Sequence, residues 1–248
     1  MEKLKFILAL VFVFGLIFAY GYQQTQQPEI PKQPVPPKID HMNQTNQTNE
    51  TQCRPEILFS DDFENYAEGS LAADNWYLIE LDTAQSYYGV KSLDGNKAMW
   101  LRLRGTGTVT DALLIKRDFD DFELEFEIHD DKPYDTVPAI VVRFDENGNY
   151  YLVTYNEYAA PSGTVRVYKM PQKELLVNNK ISVTTLQDGR WHKFKIIANG
   201  TRIEGWIDDL VKAFEINGNI EKGKIGFANS DGSLGSYYVD NVAVRSVC

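Results

Sequence analysis

Phe122-Glu123-Leu124-Glu125-Phe126-Glu127-Ile128 places an apolar residue at every second position and a glutamate between each pair. In an extended strand, successive side chains point to opposite faces. This stretch therefore turns one face to a core and the other to water, whereas a helix would scatter the same residues around its circumference. The two-residue period continues outward. Ile140 to Phe144 and Tyr150 to Tyr155 flank Asp145-Glu146-Asn147-Gly148-Asn149, a polar turn containing Gly, which is a hairpin signal. Thr164 to Met170 reads as a further strand. Trp191 to Ala198 and Arg202 to Ile207, joined through Asn199-Gly200, form a second hairpin. Asp208-Asp209 turns into Val211 to Ile216, and Lys224 to Ala228 and Ser236 to Val247 complete the chain. Many short strands between Gly, Asn and Asp turns predict an all-β antiparallel sandwich, a single jelly roll over residues 53–248.

The patterning stops upstream of residue 53. Phe6 to Tyr22 is uncharged and almost wholly apolar, with Lys3 and Lys5 just before it. As a helix it would span roughly 25 Å, just short of a bilayer core, yet it exceeds the usual signal-peptide apolar stretch. Residues 1–22 thus read as a signal anchor or as a signal peptide cleaved near Gly21. Both export the rest of the chain, and the two lysines favour a cytoplasmic N-terminus. Residues 23–52 carry Pro28, Pro31, Pro34, Pro36 and Pro37 among Gln, Asn and Thr, a composition that stays extended and builds no core. Three consecutive sequons start at Asn43, Asn46 and Asn49, as in a glycosylated stalk, and a fourth starts at Asn199 in the expected hairpin turn. The expected location is the cell surface, with the membrane reached through the N-terminal helix.

Composition excludes several functions. The 248 residues hold 25 Lys and Arg against 35 Asp and Glu, a formal net charge of -10. An acidic chain without a basic block repels phosphate backbones, so nucleic acid is not an expected partner. Three His and two Cys are too few for a His/Cys zinc cluster. No phosphate loop or G-x-S-x-G elbow is present. His41, His129 and His192 suggest no Ser-His-Asp constellation. Cys53 and Cys248 bracket the β domain. Export permits a disulfide, and the first and last strands of a jelly roll commonly lie together, so the two are expected to pair.

Two sets of side chains carry candidate chemistry. On the strand at Glu123 to Glu127 the carboxylates share a face in steps of about 7 Å. They read either as a solvated face paired with Lys or Arg across the sheet, as a cation site, or as the acids of a glycan hydrolase or lyase, Glu123 and Glu127. The second set is polar and aromatic. With Ile140, Val142 and Phe144 on the core side, Arg143 faces out. With Leu152 inward, Tyr151 and Tyr155 face out, as do Arg166 and Tyr168 opposite Val165 and Val167, and Trp206 opposite Ile203 and Ile207. Such a face offers rings to the apolar sides of sugars and guanidinium groups to their hydroxyls or carboxylates. Tyrosines packed across strands for structure alone give the same pattern.

Several stretches resemble the concanavalin A-like lectin/glucanase superfamily, in particular its laminin G-like and 3-keto-disaccharide-hydrolase-like jelly rolls. They are Phe59-Ser60-Asp61-Asp62-Phe63-Glu64, Asn75-Trp76, Phe122 to Phe126, Val141 to Phe144 with Asn149 to Leu152, Asp188-Gly189-Arg190-Trp191-His192, Ile207-Asp208-Asp209, Gly223 to Phe227 and Tyr238 to Val242. The order of these segments spans nearly all of residues 53–248. The resemblance implies a structural calcium between the first and last strands, held by Asp62 or Glu64 and Asp240 with backbone oxygens near Gly95. It also implies either a carbohydrate-binding or a glycosidase role. Laminarinase-type members carry an E-x-D-x-E-like catalytic strand, from which Glu123-Leu124-Glu125-Phe126-Glu127 departs in its middle residue. The reading is an exported, lectin-like domain whose partner is a glycan or cell-surface polysaccharide. The alternatives are the glycan hydrolase or lyase, and a structural or adhesive surface protein without a small ligand.

Overall fold

The computed structural model describes residues 53–80, 86–103, 111–130, 137–156, 163–181, 189–209, 211–230 and 235–248. The N-terminal helix, the linker and the sequons at Asn43, Asn46 and Asn49 lie outside the described residues. In chain order the strands are β1 (Ile57–Asp61), β2 (Trp76–Ile79), β3 (Tyr87–Leu93), β4 (Asn96–Arg102), β5 (Ala112–Phe119), β6 (Phe122–Asp130), β7 (Pro138–Phe144) and β8 (Tyr150–Asn156). They continue with β9 (Gly163–Met170), β10 (Glu174–Ile181), β11 (His192–Asn199), β12 (Arg202–Ile207), β13 (Val211–Asn217), β14 (Gly223–Asn229) and β15 (Tyr237–Arg245). No helix occurs among the described residues.

Two antiparallel sheets face each other. One runs β13-β12-β11-β6-β15-β4-β3, with β1 also on β15, and the other runs β10-β9-β8-β7-β14-β5-β2. The alternation read in β6 is observed: Phe122, Leu124, Phe126 and Ile128 enter the core, with the glutamates on the outer side. Between the sheets Trp76 packs against Phe59, Phe63 and Phe227 at ring separations of 5.7 to 5.9 Å, and its indole N–H donates to Asp61 at 2.9 Å. Phe126 stacks on Phe194 and meets Phe227 edge-on at 5.1 Å. A disulfide joins Cys53 to Cys248 with 5.6 Å between Cα atoms, closing the domain at its two ends. It follows from β1 lying on β15, which brings the two chain ends of this domain together.

β3, β4, β5 and β10 have no counterpart in the sequence reading. Apolar residues of β5 fall on both faces: Leu113 and Ile115 enter the central core, whereas Ala112 and Leu114 join a second apolar cluster. A strand buried on both sides shows no two-residue period.

Candidate functional site

The second cluster covers the outer side of the seven-stranded sheet. Strand register sets Tyr77, Leu114, Gly226, Val141, Leu152 and Tyr168 in one row across it. The neighbouring row is Ile79, Ala112, Ala228, Ala139, Thr154 and Arg166, then Asn178. The floor is made of small and aliphatic residues, with tyrosine and arginine at its margins. Arg166 is steadied by its Nε donating to Asn178 at 3.4 Å, and the Lys173 ammonium stands 5.8 Å from the Tyr168 ring. Burial pushes the Tyr150 phenol up to about 12, so it stays protonated as a donor.

At one end this face opens into a groove of about 700 Å³ lined by Tyr77 and Phe144, with Asp118 and Lys224 between them. Phe144 is half-buried and rests against the Tyr150 ring at 5.3 Å. Asp118 and Lys224 are opposed across β5 and β14 and form an ion pair. Burial raises the Tyr77 phenol, with Lys224 pulling it down and Asp118 pushing it up, which sets that ring beside the pair. Across the groove Asp145 caps its own turn, accepting from Asn147 N and Asn149 N at 2.8 Å and from the Asn149 amide at 2.9 Å. Burial alone would raise this carboxyl, but the hydrogen bonds outweigh it and hold it below the usual range. The groove therefore presents two aromatic rings with charged and amide groups between them.

The residues singled out in sequence divide among three places. Arg166 and Tyr168 face outward on this sheet. Arg143, Tyr151 and Tyr155 do not: all three are buried, and the expected outward parity of β8 is reversed. The cause is a bulge. Phe144 pairs with Lys224 but Val141 with Gly226, so one residue, Ile225, stands opposite both Val142 and Arg143, and Arg143 takes φ 56°. The bulge swings Phe144 outward, against its expected core position, and turns Arg143 inward. Its guanidinium donates to Gly200 O at 2.7 Å, Ile220 O at 2.8 Å, Asp120 O at 3.0 Å and Asp121 Oδ1 at 3.1 Å. Tyr151 points inward and its hydroxyl accepts from Asn219 N at 2.7 Å and Ile220 N at 3.2 Å. Gly218 leaves the room this requires, since a Cβ there would meet that hydroxyl at 2.3 Å. Trp206 lies on the outer side of the other sheet, remote from Tyr168, with the Lys212 ammonium 5.8 Å from its ring.

On that second outer face the glutamates of β6 are paired. Lys195 meets Glu123 at 2.8 Å, Lys193 and Arg245 meet Glu125 at 3.1 and 2.6 Å, and Asn241 donates to Glu127 at 2.7 Å. Glu123 and Glu127 thus hold separate partners on either side of Glu125 and do not converge. Asp240 lies beside Glu127 on the same face, is 4% exposed and accepts from Asn241 N at 2.7 Å. Burial, with Glu127, Glu64 and Asp62 nearby, pushes its carboxyl up to about 6. A buried carboxylate crowded by acids carries charge that a cation would offset. Asp62 and Glu64 fit less directly, because Asp62 accepts from Glu64 N and Glu64 from Lys97 N. Among the described residues no three His, Cys, Asp or Glu side chains converge closely enough to hold a metal. Asn199 is exposed at the β11–β12 tip, as its sequon requires.

No protein-family model matches the chain, and no curated protein is significantly similar to it in sequence. Solved structures are similar in fold. The carbohydrate-binding module CBM66 from Bacillus subtilis has a TM-score of 0.50 at 16% identity, covering 69% of this chain and 96% of its own. A Bacteroides ovatus mixed-linkage glucan GH16 protein in complex with a G4G4G3G product has a TM-score of 0.56 at 16% identity, covering 76% and 100%. The chain shares the two-sheet jelly-roll fold of these structures. A LamA variant from Z. galactanivorans in complex with laminaritriose and laminaritetraose shares this jelly roll with a TM-score of 0.53 at 16% identity, covering 77% of this chain and 98% of its own. The signal that reveals the groove residues Tyr77, Asp118, Phe144 and Lys224 is the register around the Arg143 bulge, which alternation alone does not report.

Proposed function

We propose that the chain is an exported, surface-tethered carbohydrate-binding domain whose ligand lies on the outer side and end groove of the seven-stranded sheet. The observation that carries this reading is the pair of half-buried rings, Tyr77 and Phe144, flanking the Asp118–Lys224 ion pair over an apolar floor. Sugar rings have apolar faces and hydroxyl edges. Aromatic platforms take the first, and carboxylates, ammonium groups and amides take the second. That similar folds include a carbohydrate-binding module and oligosaccharide complexes agrees with a glycan partner. The hydrolase reading calls for two carboxyl groups roughly 5–5.5 Å apart in a retaining enzyme, or about 6.5–9.5 Å in an inverting one. Glu123 and Glu127 are already engaged, on the opposite side of the sandwich from the groove. The apolar segment at Phe6 to Tyr22 supports a membrane tether, and the sequons at Asn43, Asn46, Asn49 and Asn199 support glycosylation outside the cell.

A calcium ion on Asp240 belongs to the same proposal. Asp240 would supply one carboxylate and Asp62 another, with backbone oxygens near Gly95 among the rest, since calcium takes six to eight of them; the Glu64 carbonyl is taken by the Lys97 ammonium. Its contribution would be stability, because the unfolded chain has no assembled cage.

A glycan array probed with the full-length protein, with calcium and with chelator, tests both parts. The expected result is retention of a polysaccharide without release of reducing ends, and a melting temperature that chelator lowers in the wild type but not in Asp240→Asn. Reducing-end release by the wild type that Glu127→Gln abolishes would overturn the binding reading in favour of the hydrolase.

A further inference from the structure

Among the described residues β2 pairs with β5 and β3 with β4, so each ends its sheet on this side of the sandwich. Beside them is a cleft of about 600 Å³, within the range of small-ligand sites, lined by Leu71, Tyr77, Tyr87, Tyr88, Glu80 and Lys116. Its walls are unusual for this molecule. Among the described residues four large apolar side chains stand exposed, and two of them, Leu71 at 48% and Tyr87 at 47%, line this one cleft. Polar groups interleave with the rings. Glu80 and Tyr88 line the same cleft; burial raises the Tyr88 phenol and the Glu80 charge raises it further. Lys116 anchors on Ala73 O at the same rim. Tyr77 lines this cleft and also the groove bearing Phe144, so the two are contiguous across β2.

We infer that the β2–β3 cleft is a second carbohydrate subsite, receiving the continuation of a linear polysaccharide whose preceding residues occupy the Tyr77–Phe144 groove. The inference rests on the reading of that groove as the glycan site. A short oligosaccharide can be held by the groove alone, and only a longer chain would pass Tyr77 to reach Tyr87. The ligand class is therefore an extended, internally bound polysaccharide, with the ring of Tyr87 as platform, Leu71 beside it, and Glu80 and Lys116 as hydroxyl partners.

The test measures the affinity of the full-length protein for laminarin, mixed-linkage β-glucan, xylan, mannan and chitin, each beside its own trisaccharide. For the polymer that binds best, Tyr87→Ala should weaken polymer binding about five- to tenfold, as loss of one stacking platform does. It should leave the trisaccharide unchanged, while Phe144→Ala weakens both. Leu71→Ser, at a site too exposed to matter for folding, should reproduce the Tyr87→Ala split. Unchanged polymer affinity in both cleft variants, with loss in Phe144→Ala, would overturn the cleft and leave the groove standing. Binding of none of the five polymers by the wild type would overturn the groove reading and the cleft with it.

Discussion

On the outside of the eight-stranded sheet, Glu123, Glu125 and Glu127 meet Lys195, Lys193, Arg245 and Asn241. On the outside of the seven-stranded sheet the corresponding positions hold Ala112, Leu114, Ala139, Val141, Leu152 and Ala228. Both faces arise from strands that place alternate residues on the common core. The first face answers its own charges and has little left to offer a ligand. The second supplies apolar area with polar groups only at its margins and end groove, which is the composition of a binding surface. The difference teaches that carboxylates at regular spacing mark a solvated ladder here, while the proposed site lies where the sequence looks like core.

The largest way to disturb this contrast is through the disulfide. Cys53–Cys248 closes a loop with a sequence separation of 195, for which chain entropy gives about 5 kcal/mol as an upper figure. Among the described residues β15 is the one strand that pairs with β1, so the local part of the loss should fall on the charged side. Reduction is expected to lower hydrogen-exchange protection throughout by the global loss, and to strip it furthest from β1, which the cross-link ties down directly, while β7 and β8 retain the most. Equal loss in both sheets would mean that the two faces do not differ in stability.

A step smaller is Arg143→Met. The side chain is 0% exposed and serves three carbonyls and Asp121, so removing it leaves the buried Ile220 carbonyl unpaired and cuts the ties to Gly200, Asp120 and Asp121. We expect destabilisation of about 3 kcal/mol, or roughly 6–12 °C in melting temperature for a domain of this size. Because Arg143 sits at the bulge that turns Phe144 outward, glycan affinity should fall together with stability. Lost stability with full affinity would separate the bulge from the groove.

Next is the direct comparison of rings on the two faces. Phe144→Ala and Tyr168→Ala should each weaken polysaccharide binding about tenfold, near 1.4 kcal/mol. Trp206→Ala should leave it unchanged, since that ring stands among Lys195, Lys212 and Glu204 on the charged side. Loss of binding in Trp206→Ala alone would move the site to the opposite face.

Much of this architecture was legible in the residues. The strands at 122–130, 150–156, 163–170 and 192–207 follow their alternation, and the Cys53–Cys248 pairing follows from the topology that lays β1 on β15. The site was only partly legible. Arg166 and Tyr168 obey simple parity, but Arg143, Tyr151 and Tyr155 do not. One bulged residue reverses every face beyond it, and the pairing of Val141 with Gly226 and Phe144 with Lys224 is visible only in three dimensions. β5 and β10 escaped for opposite reasons. β5 is apolar on both faces where it crosses the floor, and β10, at the sheet edge, is mostly exposed and carries little pattern at all.

The smallest effect is the most specific to the ladder. Burial would raise the Glu125 carboxyl, but Arg245 and Lys193 outweigh it, and the group sits below its ordinary value. A folded-state pKa below the unfolded one means that the unfolded chain takes up the proton first as pH falls. The stabilisation is therefore fully present above the unfolded value, about 4.3, and is lost as the pH drops through it toward the folded value. The side chain is 20% exposed, so the contribution is less than about 1 kcal/mol. Glu125→Gln should be slightly less stable than the wild type at pH 7, and the two should draw together by pH 3 in urea titrations. The variant should bind polysaccharide at pH 7 as the wild type does, because nothing on the apolar face touches Glu125. Stability curves that run parallel from pH 7 to pH 3 would show that the ladder is decorative, and the contrast between the faces would then rest on the groove alone.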